Sequence, residues 1–411
     1  MRKLLPLILA ALITLPGLWL RLAGIHLDAP SMALISGLAI LGASFLLLWA
    51  CDVAQMDIPQ TLALAVVALI AVLPEYAVDM YFTWQAGKYP ESDYAHYAIA
   101  NMTGANRLLI GVAWSAIAGL HWMRTRRRVH LDMEQRTEVL FLGLATAYAF
   151  LIPIKGSLAW YDGLVFLALY GWYIRLASQR PCQECELEGP AELIGALPRA
   201  RRRQATIALF LFAAGVILAN AEPFSENLVA TGKVFGINEF LLVQWLAPIA
   251  SEAPEFIVAI MFVLRGQAAT AMGSLVSSKL NQWTLLVGMI PGVYGLSSGT
   301  FEHPLPLGPF QMHEIFLTAA QSLMAVALLA SLSLGPKAAV LLFVMFTGQL
   351  LSPYVVEGLN LPELPWGNGT DGLHQLFSAG YVALFLAIAW VKRHDLWELR
   401  KGARVEQHII Q

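Results

Sequence analysis

Two short stretches place carboxylates where an apolar helix should run uninterrupted. In WLAPIASEAPEFIVAIMFVL (residues 245–264), Glu252 and Glu255 stand beside Pro248 and Pro254; in VVALIAVLPEYAVDMYF (residues 66–82), Glu75 and Asp79 follow Pro74. On helices, Glu75 and Asp79 are spaced i,i+4 and Glu252 and Glu255 i,i+3, so each pair shares a face. A carboxylate at the centre of a bilayer costs about 2.5–3.5 kcal/mol, and four together on the order of 10 kcal/mol uncompensated. Converging, such groups would surround a metal cation with hard oxygens. Each proline removes a backbone donor and frees a carbonyl about one turn back. Those carbonyls, with Ser251, Asn101, Thr103, Ser274, Ser277, Ser278, Asn281 and Gln282, supply neutral oxygens. Six to eight oxygens suit calcium, whereas sodium is content with fewer and less charge. The bland alternative is that the acids only cap or hydrogen-bond between helices. It is weakest for Glu75 and Glu255, because their setting is duplicated.

The elements that must hold these groups are membrane helices. Of 411 residues, 58% are hydrophobic and 13% charged, against a soluble average of about 25% charged. Apolar runs long enough to cross the hydrocarbon core recur from end to end. They predict an all-α, polytopic membrane helix bundle of about twelve spans: 4–20, 32–51, 60–84, 94–120, 138–153, 158–174, 205–221, 239–264, 267–290, 312–334, 337–356 and 374–391. The first run follows "MRK" as a signal peptide would, but no small-residue cleavage site follows it, which favours a retained helix. With both termini inside, cytoplasmic segments, counting Lys337 at the inner edge of its span, carry 20 of the 26 Lys and Arg residues, outer segments four, and span interiors two (Arg107 and Lys279). That asymmetry follows the positive-inside rule and predicts a multi-pass protein of the plasma (inner) membrane with cytoplasmic termini. The arginine clusters then read as topology determinants and lipid contacts; no nucleic-acid partner is expected. Cys182 and Cys185, in "CQEC", form a lone pair, weak evidence for a metal or redox role.

The acidic stretches belong to a repeat. Pro74–Glu75 matches Pro254–Glu255, and each hairpin continues into a second helix rich in small and amide residues: YAIANMTGANRLLIGVAWS (97–115) and TAMGSLVSSKLNQWTLLVG (270–288). Ahead of the hairpins, Asp52 in "LLWACDVAQ" and Glu222 in "VILANAEPF" lie late in their respective spans. Five spans separate equivalent helices, so the copies run in opposite directions. Inverted repeats with proline-interrupted helices are a signature of secondary transporters.

These motifs resemble the alpha repeats of the cation/calcium exchanger superfamily, whose best-known members are the sodium/calcium exchangers. The resemblance covers roughly residues 40–356. It implies a division into an added N-terminal helix (1–30), a first repeat (31–178), a cytoplasmic loop (179–204), a second repeat (205–356), and an added helix with a basic tail (357–411). It also implies transported cations, Ca2+ and/or Na+, held at Glu75 and Glu255 with Asp79, Glu252, Ser251, Asn101, Ser278 and Gln282. Spans 32–51 and 205–221, with Asp52 and Glu222 at their ends, would gate access by rocking or sliding. No cofactor is implied and no enzyme chemistry.

The sequence departs from the family pattern in places. Ala71, Val72 and Leu73 precede Pro74 where two hydroxyl residues are usual, Glu252 stands where a serine would, and the late Asn or Asp of the second helices falls at Leu109 and Gln282. Arg107 and Lys279 would neutralise part of the acidic cluster. A desolvated lysine can also release its proton and couple transport to protons; an arginine cannot. Calcium against sodium is the family default, and proton-coupled exchange of sodium or another cation is the alternative. A degenerate exchanger serving as a sensor or scaffold is a further one. An intramembrane hydrolase built on Ser278 and Lys279 fails because adjacent helical residues diverge by about 100°. A metal centre at His303, His313 and Glu314 is weakened by the Pro-rich outer loop around His303.

Overall fold

The computed structural model describes residues 4–57, 72–179, 187, 189–359 and 369–403. The start of span 60–84, through Ala71, and the Cys182/Cys185 pair lie outside them. The described chain is helical: α1 (Leu4–Ala23), α2 (Ala29–Ala54), α3 (Leu73–Lys88), α4 (Tyr94–Leu108), α5 (Ser115–Thr125), α6 (Gln135–Ala149), α7 (Leu151–Lys155), α8 (Trp160–Ala177), α9 (Pro190–Gly195), α10 (Arg199–Phe235), α11 (Glu239–Leu264), α12 (Ala268–Asn281), α13 (Val287–Ser298), α14 (Pro309–Leu329), α15 (Pro336–Leu359), α16 (Gly369–Val391) and α17 (Arg393–Leu399). Two-residue strands at Val129–His130 and Ser333–Leu334 pair antiparallel. By length and composition, eight described helical segments could cross a membrane. The hairpin helices α4 and α12 are not among them, because each gives way to a π segment after 15 and 14 residues, respectively.

The chain divides into two compact units: Met1–Gln85 with Ala177–Glu255, and Ala86–Leu176 with Phe256–Gln411. Each contains matched pieces of both repeats. In the first unit, α2 packs along α10 through an alanine-rich seam including Ala39, Ala43, Leu46, Leu47, Ala213, Val216 and Ile217. Phe224 lies over Gly37, and Asp57, just beyond the end of α2, meets Arg202 near the start of α10. Positions rise along one helix as they fall along the other. The equivalent helices are therefore antiparallel, as an inversion requires.

The span foreseen at 205–221 continues through Pro223 to Phe235, so Glu222 lies well inside α10 and not near its end. Proline forfeits a single internal donor, and packing against α2 carries the helix across it.

In the second unit the repeats exchange partners. Helix α4 packs on α14, and α12 on α6. Phe346 of α15 crosses the first hairpin's second helix at Gly111, where an added Cβ would lie 2.2 Å from its ring. Reciprocally, a Cβ on Gly163 of α8 would meet the Gly288 carbonyl of the second hairpin at 2.5 Å. Glycine admits the Phe346 side chain at the first crossing and lets the backbones approach at the second.

Candidate ion-binding site

The acidic residues of both hairpins fall in the first unit. Helix α3 begins at Leu73 and places Glu75 in its first turn, where unsatisfied N–H groups and the helix dipole favour an anion. Pro74 costs nothing there, since first-turn donors have no intrahelical acceptor. Asp79 follows one turn on, and Glu75 and Asp79 are only 1% and 0% exposed. The Thr83 hydroxyl donates to the Asp79 carbonyl at 2.9 Å.

On α11, Pro248 and Pro254 both lie inside the helix, so neither can donate to the carbonyl four residues earlier. Ser251 and Glu252 are buried; Glu255 is half-buried and within electrostatic reach of Cys51 on α2, as is Asp52. The Ser251 hydroxyl turns back to the Ala247 and Pro248 carbonyls at 3.4 and 3.3 Å. Asp52 is half-buried near the end of α2, whereas Glu222 is exposed and accepts from Arg21 of α1 at 2.6 Å. The neighbouring acid Glu226, one turn beyond Glu222, accepts from the Tyr81 hydroxyl of α3 at 2.6 Å, and Gln85 donates to the same hydroxyl at 2.9 Å. Sequence reasoning passed over Glu226, although its i+4 spacing from Glu222 was a usable signal.

Apart from Ser251, the neutral and basic candidates fall in the second unit. Asn101, Ser278 and Gln282 are buried. Both second helices change register further along: α4 passes into a π segment at Leu109–Trp114, and α12 into one at Gln282–Leu286, which Gln282 itself opens. Such π turns gather at functional sites because they redirect side chains and loosen carbonyls. Lys279 donates to the Asn106 amide oxygen at 2.5 Å and lies over the Trp283 ring, 4.4 Å from its centroid. Arg107 donates to the Glu314 carboxylate of α14; their side chains are 1% and 0% exposed. The two basic side chains that sequence placed inside spans are thus held by Asn106 and Glu314, among other contacts. Neither partner was foreseen in that role. Two amides extend the arrangement: Gln321 donates to the Arg107 carbonyl at 3.4 Å, and Gln349 to the Gln321 side-chain oxygen at 3.4 Å.

An all-α chain with duplicated hairpins, antiparallel equivalent helices and buried acids on proline-bearing segments is built as a secondary transporter. The sodium/calcium exchanger protein family matches residues 29–179 and 205–355, and the chain belongs to that family: a multi-pass membrane exchanger of cations, not an enzyme. It is similar over 98% of its own length and 98% of the other chain to the solved H+/Ca2+ exchanger CAX, with 44% identity and a TM-score of 0.90. More distant structures share the fold. YfkE matches at 15% identity over 82% of this chain and 99% of that one, TM-score 0.60. The sodium-calcium exchanger NCX_Mj matches at 17% identity over 78% and 96%, TM-score 0.50. Comparison with curated proteins finds no match.

Proposed function

We propose that this protein is an antiporter that exchanges calcium, or a closely similar divalent cation, for protons across the inner membrane, with both termini cytoplasmic. The observation that carries the reading is the buried acidic pair Glu75 and Asp79 in the first repeat, echoed by Glu252 and Glu255 in the second. Similarity to a chain described as an H+/Ca2+ exchanger supports it. Two carboxylates balance either one divalent cation or two protons. A bare carboxylate pair inside a membrane is costly, so release of the cation favours proton uptake by the same groups. That linkage is itself an exchange mechanism and requires no separate proton carrier.

In this reading Glu75 and Glu255 bind the cation, and Asp79, Glu252 and Ser251 assist. Asn101, Ser278 and Gln282 are proposed as neutral ligands from their places in the repeated pattern. The orientation rests on the asymmetry of Lys and Arg between the two sides. Sodium as counter-ion is the second reading, favoured by the family's characteristic members.

Radiolabelled calcium uptake into proteoliposomes, under an imposed pH gradient or an imposed sodium gradient, separates the two. Uptake driven by the pH gradient alone is expected. Uptake that responds only to sodium would replace the proton assignment. Calcium binding without flux under either gradient would make the protein a sensor or scaffold.

A further inference from the structure

Helix α16 (Gly369–Val391) lies beyond both matched repeats, which end at residue 355. It nevertheless reaches the buried ion pair that fixes α4. His374 is 4% exposed, and its Nδ1 lies 2.6 Å from Glu314 Oε1. The other oxygen, Oε2, receives the Arg107 guanidinium. One carboxylate on α14 therefore joins two elements: the second helix of the first hairpin and the added C-terminal helix. The contact is an electrostatic one, at ion-pair distance and without hydrogen-bond geometry. The ring is itself positioned, since it stacks on Phe310 with centroids 6.4 Å apart and planes 29° apart. Tyr381, fully buried on α16, lies within electrostatic reach of Arg107.

Helix α4 is thus held on two sides by consecutive residues. Asn106 accepts from Lys279 of α12, and Arg107 donates to Glu314 of α14. Adjacent helical side chains diverge by about 100°, so these two anchors set both the rotation and the height of α4. Asn101 lies less than two turns earlier on the same helix.

We propose that His374 is a positioning residue for transport, acting through Glu314 and Arg107 to hold α4 and its Asn101 in register. The inference rests on the exchanger reading above for its transport consequence, but the mechanical link can be tested apart from it. His374→Leu removes the ring nitrogen that faces Glu314 and fills similar volume. His374→Asn places an N–H near the Nδ1 position.

Hydrogen exchange of the full-length protein in detergent reads the link directly. Backbone exchange across residues 94–114 should rise in His374→Leu and return toward the parent level in His374→Asn. Calcium flux then reads the consequence. Apparent KM should rise roughly 2- to 30-fold in His374→Leu, the range through which a residue remote from the ligand adjusts coupling, and His374→Asn should recover it. A defect confined to folding would lower maximal flux and leave KM unchanged. Unaltered exchange in α4, an unchanged KM, or an Asn variant no better than Leu would overturn the proposal. Absence of calcium flux in the parent protein would instead overturn the exchanger reading, while the exchange measurement still judges the link.

Discussion

Substituting Gly111 by alanine tests the crossing of the repeats. An added Cβ would lie 2.2 Å from Cγ and 2.4 Å from Cβ of Phe346, where ordinary contact is 3.4–4 Å. The shortfall exceeds what a rotamer change can absorb, because Phe346 Cβ is fixed to its own backbone. Helices α15 and α4–α5 must part, at an overpacking cost of about 1–3 kcal/mol, or roughly 5- to 150-fold in the folding equilibrium. Trimming Phe346 to alanine should relieve the Gly111→Ala protein only in part, since the second Cβ remains. At Gly119, in α5, an added Cβ would meet nothing within 4 Å, so Gly119→Ala should be neutral or stabilise by about 0.4–1 kcal/mol. Loss of native fluorescence in detergent at a fixed elevated temperature ranks the variants. Equal persistence of Gly111→Ala and the parent would refute this packing.

Three further outcomes follow from particular contacts. Asp57 receives Arg202 at 2.8 Å and Arg203 at 3.3 Å, which holds its carboxyl down to about 2 from the ordinary 3.8. Because the folded value is depressed, this stabilisation is present above 3.8 and is lost as pH falls toward 2. As a surface cluster it contributes at most about 1 kcal/mol. Asp57→Asn should flatten acid unfolding in that window, and added salt should weaken the parent's dependence. Buried Asp162 accepts from the Ala159 backbone N–H at 2.7 Å and from Tyr148 at 2.9 Å, and it pairs with Lys155. Asp162→Ala should therefore destabilise by about 1–3 kcal/mol, visible as faster thermal inactivation. Arg21→Gln, breaking an exposed pair with Glu222, should shift stability by no more than about 1 kcal/mol, by the same assay.

The helical class, the duplicated hairpins and the acids on their first helices were legible in sequence because they depend on local composition and spacing. Glu75 and Asp79 announced themselves as charges in apolar runs, and the structure buries both. What sequence hid is tertiary. Arg107 and Glu314 are 207 positions apart, and nothing near either residue indicates the other. Glu314 drew notice only beside His313, whereas its structural neighbour is His374. The span drawn at 205–221 stops short of a helix that packing carries through Pro223 to Phe235, and the two π segments carry no residue type that marks them. The π register becomes recognisable only when both second helices show it at neighbouring positions.

The central claim is that one set of carboxylates holds either a divalent cation or protons. Its most direct measurement is proton release on calcium addition to purified protein in weakly buffered detergent, repeated across a pH series. Release should grow as pH falls and be reduced in Glu75→Gln and in Glu255→Gln. Tight calcium binding with no proton release at any pH, or full release from both variants, would contradict it.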